Sequence, residues 1–177
     1  ARIEVIQPNK NISYIDGSYL ICDGSLIFAR RDIEHAVIPA TVKIVEKFSF
    51  DHCFNLKTVT YSMNQGAVPL LTDIGPMAFS NCPNLEKAVF PVSLKIIDDF
   101  AFNRCSKLTT LTIPKPHNTT PALEYIGHSA FCECSSLETI PPIPASVKEV
   151  GHFCFSGTKL KKVEFLGSNI HIGARAF

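Results

Sequence analysis

The 177-residue chain contains no run of apolar residues long enough to cross a membrane as a helix. Neither sign of charge dominates. Lys and Arg number 17 against 16 Asp and Glu, a net charge of +1, so the basic stripe that a nucleic-acid surface needs is missing. Hydrophobic residues make up 46%, too many for a disordered tail. The local frames of common chemistries are missing as well. G-x-S-x-G, the phosphate-binding P-loop, G-x-G-x-x-G and C-x-x-C do not occur, and Cys132-Glu133-Cys134 is only C-x-C. No Ser-His-Asp arrangement has a recognisable frame. The expectation is a non-enzyme with no cofactor and no metal.

What the chain has in abundance is one pattern repeated. Residues 91–114 carry an apolar pair (Ile96, Ile97), then Ala101-Phe102, Cys105, Leu108, Leu111 and Ile113, and close on Pro114. The phenylalanine returns at Phe50, Phe79, Phe102, Phe131, Phe155 and Phe177, at spacings of 29, 23, 29, 24 and 22. Three residues after the first four stand Cys53, Cys82, Cys105 and Cys134, with Thr158 in the fifth slot. A leucine follows in every copy: Leu56, Leu85, Leu108, Leu137 and Leu160.

A unit of this size cannot bury its own apolar side, but stacked copies share one continuous core. Thr110-Leu111-Thr112-Ile113 alternates with period two, so each unit supplies a half-buried strand with Leu111 and Ile113 inward. Strands stacked in register form a parallel sheet at about 4.8 Å per rung. The phenylalanines fill the core from the opposite side.

IGPMAFSNCPNLEKAVFP (74–91), IDDFAFNRCSKLTTLTIP (97–114) and IGHSAFCECSSLETIPPI (126–143) resemble the BspA-like leucine-rich repeat. The resemblance covers at least residues 38–177. Ser49-Phe50 and Cys154-Phe155 depart from Ala-Phe, and Thr158 departs from the cysteine. The resemblance implies a right-handed leucine-rich-repeat solenoid with a parallel concave sheet. It also implies a cell-surface or secreted adhesion module, since BspA-like proteins bind matrix proteins and host cells. An intracellular interaction scaffold is the alternative, compatible with a ladder of reduced cysteines.

Residues 1–37 lack the Phe-Cys motif and read as a hairpin-bearing variant repeat that covers one end of the stack. Strands are expected at Ile3–Ile6, Tyr19–Cys22 and Leu26–Ala29, with turns at Pro8–Asn11, Asp16-Gly17 and Asp23-Gly24. Asp-Gly between apolar runs is a strong hairpin signal. Residues 38–177 then supply about five and a half repeats of a single domain. The last copy, NIHIGARAF, stops at its phenylalanine, so the chain reads as a piece of a longer one, where no leader peptide is expected. Insertions at 62–68 and 115–120 fall just past a strand, two repeats apart, which puts them on one edge about 10 Å apart.

Four of the seven cysteines form the repeat slot and read as small buried thiols. A Cys132–Cys154 disulfide is conceivable, and Cys22 lies outside the repeats. Asp99, His128 and His152 share one slot and form a column about 5 Å per step that zinc could use. Lys47, Pro76 and Ala174 occupy the same slot, which favours a solvated turn. Sequons occur at Asn11 and Asn118, both in expected loops.

The outward strand residues remain: Thr58 and Thr60, Lys87 and Val89, Thr110 and Thr112, Thr139 and Pro141, Lys162 and Glu164. Together they form a shallow, threonine-rich surface of the kind that solenoids offer to protein partners. These residues, Pro141 excepted, are the nine of the expected contact site.

Overall fold

The computed structural model describes residues 12–15, 17–62, 69–112 and 121–177. The expected strand Ile3–Ile6 and the sequons at Asn11 and Asn118 lie outside them, as do both insertions except Ser62. Among the described residues every regular element is a strand.

Each turn contributes two short strands, and the strands stack into two sheets. The first sheet holds β5 (Ile44–Val45), β7 (Asp73–Ile74), β9 (Ile96–Ile97), β11 (Tyr125–Ile126), β12 (Glu149–Val150) and β13 (His171–Ile172), all parallel. In β5 to β12 the second residue is buried and the first half-exposed, the alternation of a sheet with one wet face. The apolar pair of the repeat is therefore a strand in its own right, where the sequence pattern suggested one sheet only.

The N-terminal residues extend this sheet. β1 (Ile12–Ile15), β2 (Tyr19–Cys22) and β3 (Ser25–Ala29) form an antiparallel meander, and β3 then pairs β5 in parallel through Leu26 and Val45. Asp23 and Gly24 take φ of 51° and 82°, the left-handed pair that a two-residue hairpin turn demands. The hairpin thus continues the first sheet beyond β5.

The second sheet is β4 (His35–Ile38), β6 (Thr58–Tyr61), β8 (Lys87–Val89) and β10 (Thr110–Thr112). It lapses beyond β10. Pro141 and Pro142 lack the N–H that a ladder needs, and a single parallel bridge, Ile143 to Phe165, joins the last two turns. Leu111, Ile140, Ile143, Phe131 and Phe155 leave an apolar cavity of about 30 Å³ beneath the lapse, far below the ~300 Å³ of a small-molecule pocket.

Between the sheets, the segment around each core phenylalanine stacks by a third pattern. Phe50 N–H donates to Ala78 O of the next turn at 2.8 Å, Phe79 to Ala101 O at 2.8 Å and Phe102 to Ala130 O at 2.7 Å. The residues two before and two after make the same link, as Phe100 does to His128 O and Arg104 to Cys132 O. Intervening N–H groups close turns within their own copy, as Asn103 does to Phe100 O. This alternation needs left-handed backbone at both flanks. Met77, Asn81, Phe100, Arg104 and Glu133 all have φ between 53° and 61°. The strain of a bulky residue there is offset because the N–H of each of these five residues donates to a carbonyl of the next turn.

The rings stack along the axis. Successive centroids from Phe50 through Phe79, Phe102, Phe131 and Phe155 to Phe177 lie 4.6, 4.9, 5.3, 5.3 and 5.5 Å apart. Cys82, Cys105 and Cys134 line the same core, and each thiol donates to the carbonyl of the phenylalanine one turn earlier, at 3.1, 3.2 and 3.2 Å. A small polarizable donor suits a slot that is fully buried yet faces a carbonyl. Where Thr158 replaces the cysteine, its hydroxyl turns back to Phe155 O in its own copy at 2.7 Å.

At the N-terminal end, where the preceding turn has no core phenylalanine, Cys53 Sγ donates to Arg30 O at 3.7 Å, and Arg31 caps nearby backbone carbonyls. Its Nη1 donates to Ala29 O and Ser49 O at 3.1 and 2.8 Å, and its Nη2 to Phe48 O at 3.3 Å. Opposite the rings, glycine lets the turns close up. A Cβ on Gly151 would sit 2.5 Å from His128 N and 2.6 Å from Gly127 C. The I-G of the repeat is a matter of close approach here, not of φ.

Candidate protein-binding face

The register of the second sheet builds two columns from outward side chains. His35, Thr58, Lys87 and Thr110 lie side by side, and so do Val37, Thr60, Val89 and Thr112. Ala36, Val59 and Ala88 point the other way and are buried. Six of the nine expected contact residues, Thr58, Thr60, Lys87, Val89, Thr110 and Thr112, are therefore on one face.

The other three are not on a strand. Thr139, Lys162 and Glu164, with Pro141, lie in irregular chain where the second sheet has lapsed. The prolines of ETIPPIP break the pairing that LTIP sustains. Leu111 is half-buried, while Ile113, its expected inward companion, falls outside the described residues.

His35 and Val37 belong to the face and were missed by reading from the Phe-Cys motif, which β4 precedes. The signal was present: Ile38-Pro39 matches Phe90-Pro91, and His35 precedes Thr58 by 23 residues, the repeat length. Val37 is 49% exposed, a large apolar side chain at the N-terminal edge of the face.

Polar contacts order the face. His35 Nδ1 and Thr58 Oγ1 are 2.9 Å apart. Along the flank, Lys57 Nζ pairs with Glu34 Oε2 at 2.6 Å. The hydrogen bond from Lys57 and its charge hold the Glu34 carboxyl below its ordinary range, and the same bond raises Lys57.

The Asp99, His128 and His152 column ties turns together. Asp99 Oδ1 accepts the His128 backbone N–H at 2.7 Å and the Tyr125 hydroxyl at 3.2 Å. Partial burial, then the Asp99 charge, pushes the Tyr125 phenol up to about 12. His152 Nδ1 accepts the Ala174 N–H at 2.9 Å, and the His128 ring packs edge-on against Phe100 and Phe153. Among the described residues no group of three or more His, Cys, Asp or Glu is placed to hold a metal ion.

All seven cysteines are free thiols, so Cys132 and Cys154 are unpaired. Cys154 fills an alanine slot in the core. Burial pushes the thiols of Cys53, Cys82, Cys105 and Cys154 above the ordinary range, the opposite of a nucleophile.

The family described as "BspA type Leucine rich repeat region" matches in six copies across residues 24–122 and 117–177. A leucine-rich repeat protein from Bacteroides ovatus is 28% identical with a TM-score of 0.65, over 82% of this chain and 34% of that one. A leucine rich cell surface protein from Faecalibacterium prausnitzii is 25% identical with a TM-score of 0.69, over 93% of this chain and 51% of that one. The chain thus spans between a third and about half of these two relatives. The T. pallidum leucine-rich repeat protein shares the fold at 20% identity, with a TM-score of 0.65 and coverage of 94% of this chain and 85% of that one. No curated protein matches. With the repeat matched along most of its length and two stacked sheets around a phenylalanine ladder, the chain belongs to the BspA-type leucine-rich-repeat family.

Proposed function

We propose that this chain is a non-catalytic protein-binding module of a cell-surface or secreted protein, acting in adhesion to matrix or host proteins. Its contact surface is the outward face of β4, β6, β8 and β10. The observation that carries the reading is the face itself: four rungs in register present outward side chains in two columns, exposed or half-exposed to solvent. A flat array of this kind suits a macromolecule better than a small substrate. The surface assignment is supported by likeness to the Faecalibacterium cell surface protein.

The test is binding of the purified chain to a panel of matrix proteins that includes fibronectin and fibrinogen. Saturable binding abolished by Thr110→Glu with Lys87→Glu supports the face. Loss only on deletion of residues 115–120 moves the site to the inserted edge, and no binding anywhere removes the adhesin reading. The seven free thiols favour a second reading, an intracellular scaffold in a reducing compartment. Recovery of the native protein from the cell surface or from cytosol separates the two.

A further inference from the structure

The two columns of the face differ in chemistry. The first, His35, Thr58, Lys87 and Thr110, is all hydrogen-bonding groups. The second, Val37, Thr60, Val89 and Thr112, presents methyl groups and carries no ionisable side chain. Columns two residues apart along a strand are separated by about 6.6 Å.

Charge on the face is one-sided. Lys87 is the one Lys, Arg, Asp or Glu among the outward residues of the four strands, and it is exposed. Its neighbours in register are the hydroxyls of Thr58 and Thr110. Among the described residues Lys87 makes no ion pair, whereas on the adjacent flank Lys57 answers two carboxylates. Glu34 is held by Lys57 at 2.6 Å, and the field of Glu86 falls on Lys57 too. Thr58 is oriented by its 2.9 Å contact with His35 Nδ1. When that nitrogen donates, the threonine hydroxyl keeps its own proton for a ligand.

We propose that the face takes an extended acidic protein segment, with a carboxylate over Lys87 between Thr58 and Thr110, and an aliphatic side chain two residues along it on the Val37–Thr60–Val89–Thr112 column. A carboxylate accepts only, and Lys87 and the threonine hydroxyls can all donate to it. In an extended segment, residues i and i+2 face the same way about 6.6 Å apart, which matches the column spacing. This assignment rests on the face being the contact surface and adds the chemistry of what it contacts.

The probes are synthetic peptides of three repeats each: Ser-Glu-Ser-Val, Ser-Lys-Ser-Val, and Glu-Val-Ser-Ser, which puts Glu and Val on opposite sides. Binding is read by amide chemical shifts of the intact chain on titration, with dextran sulfate as a separate arm. The expected result is saturable shifts at residues 58–60, 87–89 and 110–112 with the first peptide alone, weakened by added salt. Lys87→Gln weakens binding roughly fivefold, and Lys87→Glu transfers the preference to the lysine peptide. Lys95→Gln, just before β9 of the first sheet, changes nothing.

Three results overturn the proposal, and they differ in what they spare. If Val37→Ser and Thr110→Glu abolish binding while charge changes at Lys87 leave it intact, the face stands and the acidic partner falls. If the shifts map to the first sheet, the face falls with it. If dextran sulfate binds more tightly than the glutamate peptide and with the same Lys87 dependence, the ligand is a polyanion of another class.

Discussion

Phe102→Ala probes the ladder that holds the turns in register. Phe102 is fully buried, stacks on Phe79 at 4.9 Å and Phe131 at 5.3 Å, and tilts against Phe90 at 5.5 Å. Truncating a core phenylalanine costs roughly 3 to 5 kcal/mol, the spread depending on how far the site collapses. Collapse is restricted here. Phe79 and Phe131 are each held by a further ring, Phe50 and Phe155, and by backbone bonds to the adjacent turns. The two parallel stacks that are lost each contribute about 0.5 to 1.5 kcal/mol beyond area. The expected loss is therefore about 4 kcal/mol, measured by urea unfolding with fixed slope. Phe177 has the same chemistry but is 51% exposed with one stacked neighbour in the ladder, Phe155, so Phe177→Ala should cost about 1 kcal/mol. A loss below about 1 kcal/mol at Phe102, or equal losses at both sites, refutes the ladder as the source of stability.

Three further outcomes are expected. Gly151→Ala forces a Cβ to 2.5 Å from His128 N, so it should cost roughly 1 to 3 kcal/mol in the same assay, with Gly75→Ala, nearest atoms at 3.0 Å, milder. Of the seven thiols, only Cys22 and Cys132 are partly exposed, so an aromatic disulfide reagent should titrate two rapidly in native protein and seven after unfolding. Six fast thiols would mean that the four-cysteine core slot is open. The Tyr125 phenol is raised to about 12 in the folded chain, so its contribution to stability is complete below the unfolded value near 10 and is lost as pH rises through about 12. Absorbance titration should show that late step, and Asp99→Asn, which removes the neighbouring charge, should move it down.

The repeat was legible because stacking demands the same residue type at the same place in every turn. Phe50 to Phe155, the four slot cysteines and the Asp23-Gly24 hairpin all stand where their patterns put them. The second ladder was not legible. Ile96-Ile97 is too short for a period to show, and it becomes a strand only because Ile74 and Ile126 lie on either side. The contact face was half legible. Thr58 and Thr110 follow from alternation, but a strand at Thr139 was overruled by Pro141-Pro142. β4 was missed because its turn lacks the phenylalanine used to set the frame. The role of Arg31 leaves no sequence pattern at all, since the end of a stack occurs once.

The most direct test compares two charge-bearing pairs of substitutions on opposite sheets, each against whichever matrix protein binds the intact chain. One pair is Lys87→Glu with Thr110→Glu, and the other is Ile96→Glu with Glu149→Lys. Both should fold, since all four side chains are exposed or half-exposed. The account predicts that the first pair abolishes binding and the second leaves the affinity within about twofold. Loss of binding in the second pair, with the first unchanged, would place the site on the other sheet and contradict it.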